Sequence, residues 1–133
     1  MKYTTGYKHQ LAESLAVSTG IHPGMPVEHE YFHLSIAGTL TIREGYAWNG
    51  ASGGCPDNDY TLTPSLIHDI LYQAMRLGLL PQETRRAADQ VFYTMCRDRG
   101  LNWLTAQFYL KALHRFGASS ADPQNKKEVL EAP

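Results

Sequence analysis

The stretch Leu66-Ile67-His68-Asp69-Ile70-Leu71-Tyr72 sets a histidine, an aspartate and a tyrosine into an otherwise apolar helical pattern. Burying an imidazole, a carboxylate and a phenol without partners costs on the order of 1–3 kcal/mol per group. Those residues must therefore pair with a second element or line a cleft, and either demand restricts how the chain can fold. His68 and Tyr72 are four apart, so they lie one above the other on one helix face. Asp69 stands about 100° further round and faces a different target.

The partner is found on the next predicted helix. Thr63-Pro64 marks a helix start, with Thr63 as N-cap and Pro64 at the first helical position, and the apolar stripe predicts a helix over 64–77 that Gly78 ends. Residues 79–81 are a short connector. A second helix is predicted over 82–99, with Gln82 and Glu83 at its positive end and Gly100 as its stop. Its apolar face is Ala87, Ala88, Val91, Phe92, Met95 and Cys96, and Asp89 flanks that face. A short connector packs the two helices antiparallel, which brings Asp89 to His68 and Tyr72. A carboxylate on one imidazole nitrogen leaves the other nitrogen for water, the arrangement a general base needs. The same three residues also serve as a buried network that only ties two helices together, and spacing alone leaves both readings open. A third helix is predicted over 102–116, starting at Asn102 and carrying Trp103, Ala106, Leu110, Leu113 and Phe116. His114 is read as a helix-end histidine suited to the dipole.

Before the helices the pattern is different. Residues 1–30 are poorly periodic and broken by Gly20, Pro23, Gly24 and Pro26, which predicts a loose arm or a short strand leading into a loop. From Glu30 to Ala47 a two-residue rhythm rich in aromatic and β-branched residues predicts two short strands joined at Ala37-Gly38, a turn at Glu44-Gly45 and a last extended piece at Tyr46-Ala47-Trp48. Asn49-Gly50-Ala51-Ser52-Gly53-Gly54 follows and cannot be regular structure. Such a loop can turn several carbonyls or amides towards one ion, or it can be a plain connector. It lacks the Lys-Ser/Thr ending of a nucleotide-binding loop. The expected fold is therefore α+β: a small N-terminal antiparallel sheet, a glycine-rich loop and three helices, in one domain over 1–117, with a flexible tail over 118–133.

Composition limits the function. In 133 residues, 43% hydrophobic and 19% charged content are globular values, and a net charge of −1 with no basic stripe argues against a dedicated nucleic-acid binder. No run approaches the roughly 18–20 apolar residues of a membrane helix, and the N-terminus has no signal-peptide core, so a soluble chain made without Sec-type export is expected. Cys55 and Cys96 make no disulfide framework: either two thiols in a reducing compartment or a single bridge fits. His22, His29 and His33, with Glu28 and Glu30, match no standard zinc spacing and read as a solvated surface. Trp103 and Tyr109 read as core or rim residues.

Three pieces together, Asn49-Gly50-Ala51-Ser52-Gly53-Gly54, Leu66-Ile67-His68-Asp69-Ile70-Leu71-Tyr72 and Ala88-Asp89-Gln90-Val91-Phe92, resemble the phage and bacterial domain-of-unknown-function family 1353 over roughly residues 30–116. Its pattern is a Trp-Asp-Gly-Ala-Ser loop, a His-Asp-x-x-Tyr helix and an Ala-Asp-x-x-Phe helix. Trp48-Asn49 stands here where that family has Trp-Asp. The same pieces look like the core of phospholipase A2 enzymes, especially the disulfide-poor type of parvovirus capsids. That resemblance implies His68 as base, Asp89 orienting it, Tyr72 bracing Asp89, and a calcium ion held by Asp69 with backbone carbonyls from around Asn49, Ala51 and Gly53. It also implies a phospholipid or other ester as substrate. The resemblance to phage proteins equally implies a non-catalytic structural or accessory protein that meets other virion proteins. Either role places the chain in the host cytoplasm or on the virion.

Overall fold

The alternation read over residues 31–42 builds the middle of a four-stranded antiparallel sheet. The computed structural model describes residues 9–48 and 58–121, and these fall into two compact units, the strands in one and the helices in the other. The fold class is α+β, as expected.

The strand unit holds β1 (His9–Gln10), β2 (Leu15–Ser18), β3 (Val27–Glu28), β4 (Phe32–Leu34), β5 (Thr39–Ile42) and β6 (Ala47–Trp48). β2, β5, β4 and β3 lie side by side in that order, and β1 pairs separately with β6. Register follows from one buried face. Val17 and Leu34 flank Leu40, while Leu15 and Phe32 flank Ile42. A one-residue slip would turn Leu40 and Ile42 outward and Thr39 and Thr41 inward, so burial fixes the pairing. Of the two readings open before residue 30, the short strand holds and the loose arm does not: Leu15 and Val17 alternate with polar neighbours, and β2 pairs with β5 along its whole length. The turn at residues 35–38 and the turn at 44–45 fall where predicted.

The helical unit holds α1 (Leu62–Arg76), α2 (Arg85–Asp98) and α3 (Trp103–Ala121), each packed on the other two. Phe92, Cys96, Leu101, Ala106 and Leu113 form a buried cluster between α2 and α3, with Tyr93 and Tyr109 at its margin. α1 is buried on most sides, its apolar residues Leu66, Ile67, Ile70, Leu71, Ala74 and Met75 included.

Both expected glycine stops hold. At the end of α1 Gly78 has φ +75°, Leu79 N–H donates to Ala74 O at 2.8 Å and Gly78 N–H to Met75 O at 3.1 Å. Gly100, with φ +103°, repeats the pattern after α2: Leu101 N–H donates to Cys96 O and Gly100 N–H to Arg97 O, each at 3.0 Å. Both are six-to-one caps that need a left-handed residue. α3 starts next to Asn102 as predicted, and the Asn102 side chain caps it by accepting from Thr105 N–H at 2.9 Å.

Three boundaries and the exposure of one residue differ from expectation. α1 starts at Leu62 rather than 64, because Asn58 organises the start: its Oδ1 accepts from Tyr60 N–H at 2.9 Å and Thr61 N–H at 3.1 Å. Pro64 thus falls at the third helical position, where its missing N–H still costs no intrahelical bond. The second helix opens with a 3-10 turn at Gln82–Thr84 before α2 proper. α3 continues past 116 to Ala121, so the tail expected from 118 begins as helix. Trp103, expected in the core or its rim, is 57% exposed, with Leu104 and Phe108 exposed beside it. The first turns of α3 carry them away from the face that Ala106 and Leu113 bury. Cys55 lies outside the described residues, and Cys96 is fully buried. Among the described residues no helix is long and apolar enough to cross a membrane.

Candidate functional site

Asp89 is 0% exposed, and three side chains from two other helices donate to it. His68 Nε2 lies 2.6 Å from Oδ1, Tyr72 Oη 2.6 Å from the same oxygen, and His114 Nδ1 2.7 Å from Oδ2. The helix spacing explains the first two contacts. His68 and Tyr72 are one turn apart on α1, their rings 4.2 Å apart, and together they face the α2 position just beside the buried stripe. Phe92, one turn beyond Ala88 on α2, closes against the His68 ring edge-on at 5.8 Å between centroids.

Electrostatics decide the protonation states. Burial alone would raise the Asp89 pKa, but the hydrogen bonds from His68, Tyr72 and His114 and the positive charge available on His68 hold it below the ordinary carboxylate value. Asp89 is therefore an anion near neutral pH, and an ionised carboxylate only accepts. All three partners must then donate. Burial, followed by the hydrogen bond to Asp89 and its charge, pushes the Tyr72 hydroxyl well above the usual phenol range, with Arg85 pulling weakly the other way. Tyr72 thus stays a neutral donor. For neutral His68 the proton sits on Nε2 and the lone pair on Nδ1. Among the described residues Nδ1 of His68 has no hydrogen-bond partner. This is the disposition of an imidazole ready to take a proton.

The predicted trio of His68, Asp89 and Tyr72 thus comes together. Asp69 sits next to His68 on α1, half-buried and turned to another side of the helix. The other three predicted calcium ligands, Asn49, Ala51 and Gly53, lie outside the described residues. Among the described residues no group of three or more His, Cys, Asp or Glu side chains is placed to hold a metal ion.

Sequence reasoning missed the third wall. His114 is not a helix-end residue: α3 runs seven residues beyond it, and its ring faces Asp89 instead of solvent. Arg85 was missed as well. Its Nη1 donates to the backbone carbonyl of His114 at 3.0 Å, and its positive charge pulls weakly downward on the Tyr72 pKa. Gly117 is the least obvious member. A Cβ there would collide with the Tyr72 hydroxyl oxygen, so only glycine lets α3 approach so closely. One signal was available: Ala106, Leu113 and Gly117 fall on one face of α3 with His114 at its edge, and a glycine within a helix marks close approach.

The histidines of the strand unit have separate partners. His33 Nδ1 lies 2.9 Å from Glu28 Oε1, His22 Nδ1 3.1 Å from Ile36 O, and His29 stacks on Phe32 at 4.3 Å. Burial holds His29 below its ordinary pKa against the pull of Glu30.

No family model, curated protein or solved structure matches the chain.

Proposed function

We propose that the chain is a calcium-dependent ester hydrolase of the phospholipase A2 type, acting on phospholipid or a related ester. The observation that carries this reading is the buried 2.6 Å contact between His68 Nε2 and Asp89 Oδ1, which leaves Nδ1 as the basic nitrogen. His68 removes a proton from water as the water oxygen bonds to the ester carbonyl carbon. When the tetrahedral intermediate collapses and the carbon–oxygen bond breaks, the imidazolium returns that proton to the leaving alkoxide. Asp89 stabilises the imidazolium formed between these steps and fixes the ring, and Tyr72 holds Asp89 in place.

The donor set named for calcium is chemically suitable: the Asp69 carboxylate with carbonyl oxygens of Asn49, Ala51 and Gly53 is all hard oxygen. Calcium, when bound, supplies polarisation of the ester carbonyl and countercharge for its oxyanion.

Fatty-acid release from mixed phospholipid vesicles, with calcium and with chelator, tests the reading. Release that needs calcium and falls at least ~100-fold in His68→Ala supports it. Calcium should also raise the melting temperature, and Asp69→Ala should abolish that rise. No release from the wild-type protein would sink the proposal. One observation favours a second reading, a non-catalytic phage structural or accessory protein. Asp89 is fully enclosed and receives donors from both neighbouring helices, which is also what a purely structural tie requires. On that reading His68→Ala changes stability alone.

A further inference from the structure

We propose that His114 is a positioning residue for His68: its N–H occupies Asp89 Oδ2, which holds Oδ1 on His68 and keeps the Arg85 guanidinium off the carboxylate. The inference rests on the reading of His68 as the base. It begins with spacing on α2, where Arg85 and Asp89 are four apart and share a face. An arginine one turn from a buried carboxylate is its strongest available partner, because the guanidinium fork matches both carboxylate oxygens at once. Yet Arg85 is engaged elsewhere, on the His114 carbonyl at 3.0 Å. His114 causes that arrangement from both ends. Its ring fills Oδ2 at 2.7 Å, and its backbone carbonyl gives the guanidinium another acceptor.

The placement of α3 follows from its own sequence. Asn102 caps the first turn, and Gly117, three residues after His114 and so on the same side, lets the helix close onto Tyr72. His114 and Gly117 therefore act on the two ends of one bond network: His114 on Asp89, and Gly117 on the phenol that also donates to Asp89. Without the His114 ring, Oδ2 would be buried without its donor. The carboxylate would then turn about its terminal torsion, which is broad and soft, and engage Arg85. His68 Nε2 would lose its acceptor, and its proton would redistribute between the two ring nitrogens.

Imidazole nitrogen NMR on histidine-labelled protein reads this directly, above the ordinary histidine titration range. Wild-type protein should show His68 protonated at Nε2. His114→Asn keeps an N–H at the Nδ1 position and should retain that tautomer. His114→Ala should give both tautomers, with exchange of the His68 N–H with water at least tenfold faster. Adding Arg85→Gln to His114→Ala removes the competitor and should restore the Nε2 tautomer. If His114→Ala does not fold, His114→Gln serves in its place, since its N–H lies one bond further out. The proposal is overturned if the alanine or glutamine variant keeps the wild-type tautomer and exchange while only its melting temperature falls. It is also overturned if asparagine fails to rescue, or if Arg85→Gln restores nothing. The readout does not depend on turnover: a wild-type protein that releases no fatty acid but shows this tautomer pattern refutes the hydrolase and leaves the positioning role standing.

Discussion

Each unit contains a histidine paired with a carboxylate, and the two pairs behave differently. In the strand unit His33 and Glu28 meet at 2.9 Å across β4 and β3, with side chains 42% and 72% exposed. In the helical unit His68 and Asp89 meet at 2.6 Å with side chains 8% and 0% exposed. The groups are the same and the contact distances similar. Water sets them apart: it screens the first pair and competes for its hydrogen bonds, and it is excluded from the second. A buried carboxylate must collect every donor it can, and Asp89 collects three. Glu28 is under no such demand.

The comparison is sharpest at the buried carboxylate itself. Asp89→Ala strands His68, Tyr72 and His114 as donors without an acceptor, and should cost about 3–5 kcal/mol of unfolding free energy in a urea titration. A loss below about 1 kcal/mol would show that water reaches the network. Next is Gly117→Ala, where a methyl group is driven into the Tyr72 hydroxyl. Overpacking there should cost about 1–3 kcal/mol, although alanine is the better helix former. A neutral or stabilising result would mean that α3 can shift away without loss.

The pH dependence follows from the Asp89 pKa, lowered in the folded state from 3.8. Between that lowered value and about 4 the unfolded chain binds the extra proton, so stability rises with pH across this window. The contribution is fully present above the unfolded value and is lost as acid titrates the folded carboxylate. Urea midpoints measured from neutral pH down to about pH 3 should fall in the wild type, and this component of the fall should be missing in Asp89→Asn. The smallest effect belongs to the exposed pair. Glu28→Gln should change stability by no more than about 0.5 kcal/mol, and less still in high salt. A loss comparable to that of Asp89→Ala would break the comparison.

Local signals made much of this architecture legible. Gly78 and Gly100 announce helix ends because only a residue tolerant of positive φ closes a six-to-one cap, and Asn102 announces a helix start because its side chain reaches back to a bare N–H. The hairpin of β4 and β5 follows from alternation. The contact of His68 with Asp89 was within reach because a short connector forces two helices to lie side by side. His114 was not, since it is 25 residues from Asp89 and its position depends on how α3 crosses both neighbours. Trp103 differs for the opposite reason: an aromatic residue at helical spacing reads as core or rim, but the core-facing side of α3 is set by Ala106 and Leu113. Thr63-Pro64 is a sound start signal by composition, displaced two residues by the stronger turn at Asn58.

The carboxylate that joins α1, α2 and α3 also governs how this unit can open. Lifting any one of the three helices uncovers a charge that the other two cannot satisfy alone, so partial opening is penalised. Amide protons in the middle turns of all three helices should therefore exchange with solvent deuterium at a common rate, as a single cooperative block. In Asp89→Ala that block should divide, with α3 exchanging first because it is then held by the small cluster around Phe92 and Leu113 and the Arg85 bond to the His114 carbonyl.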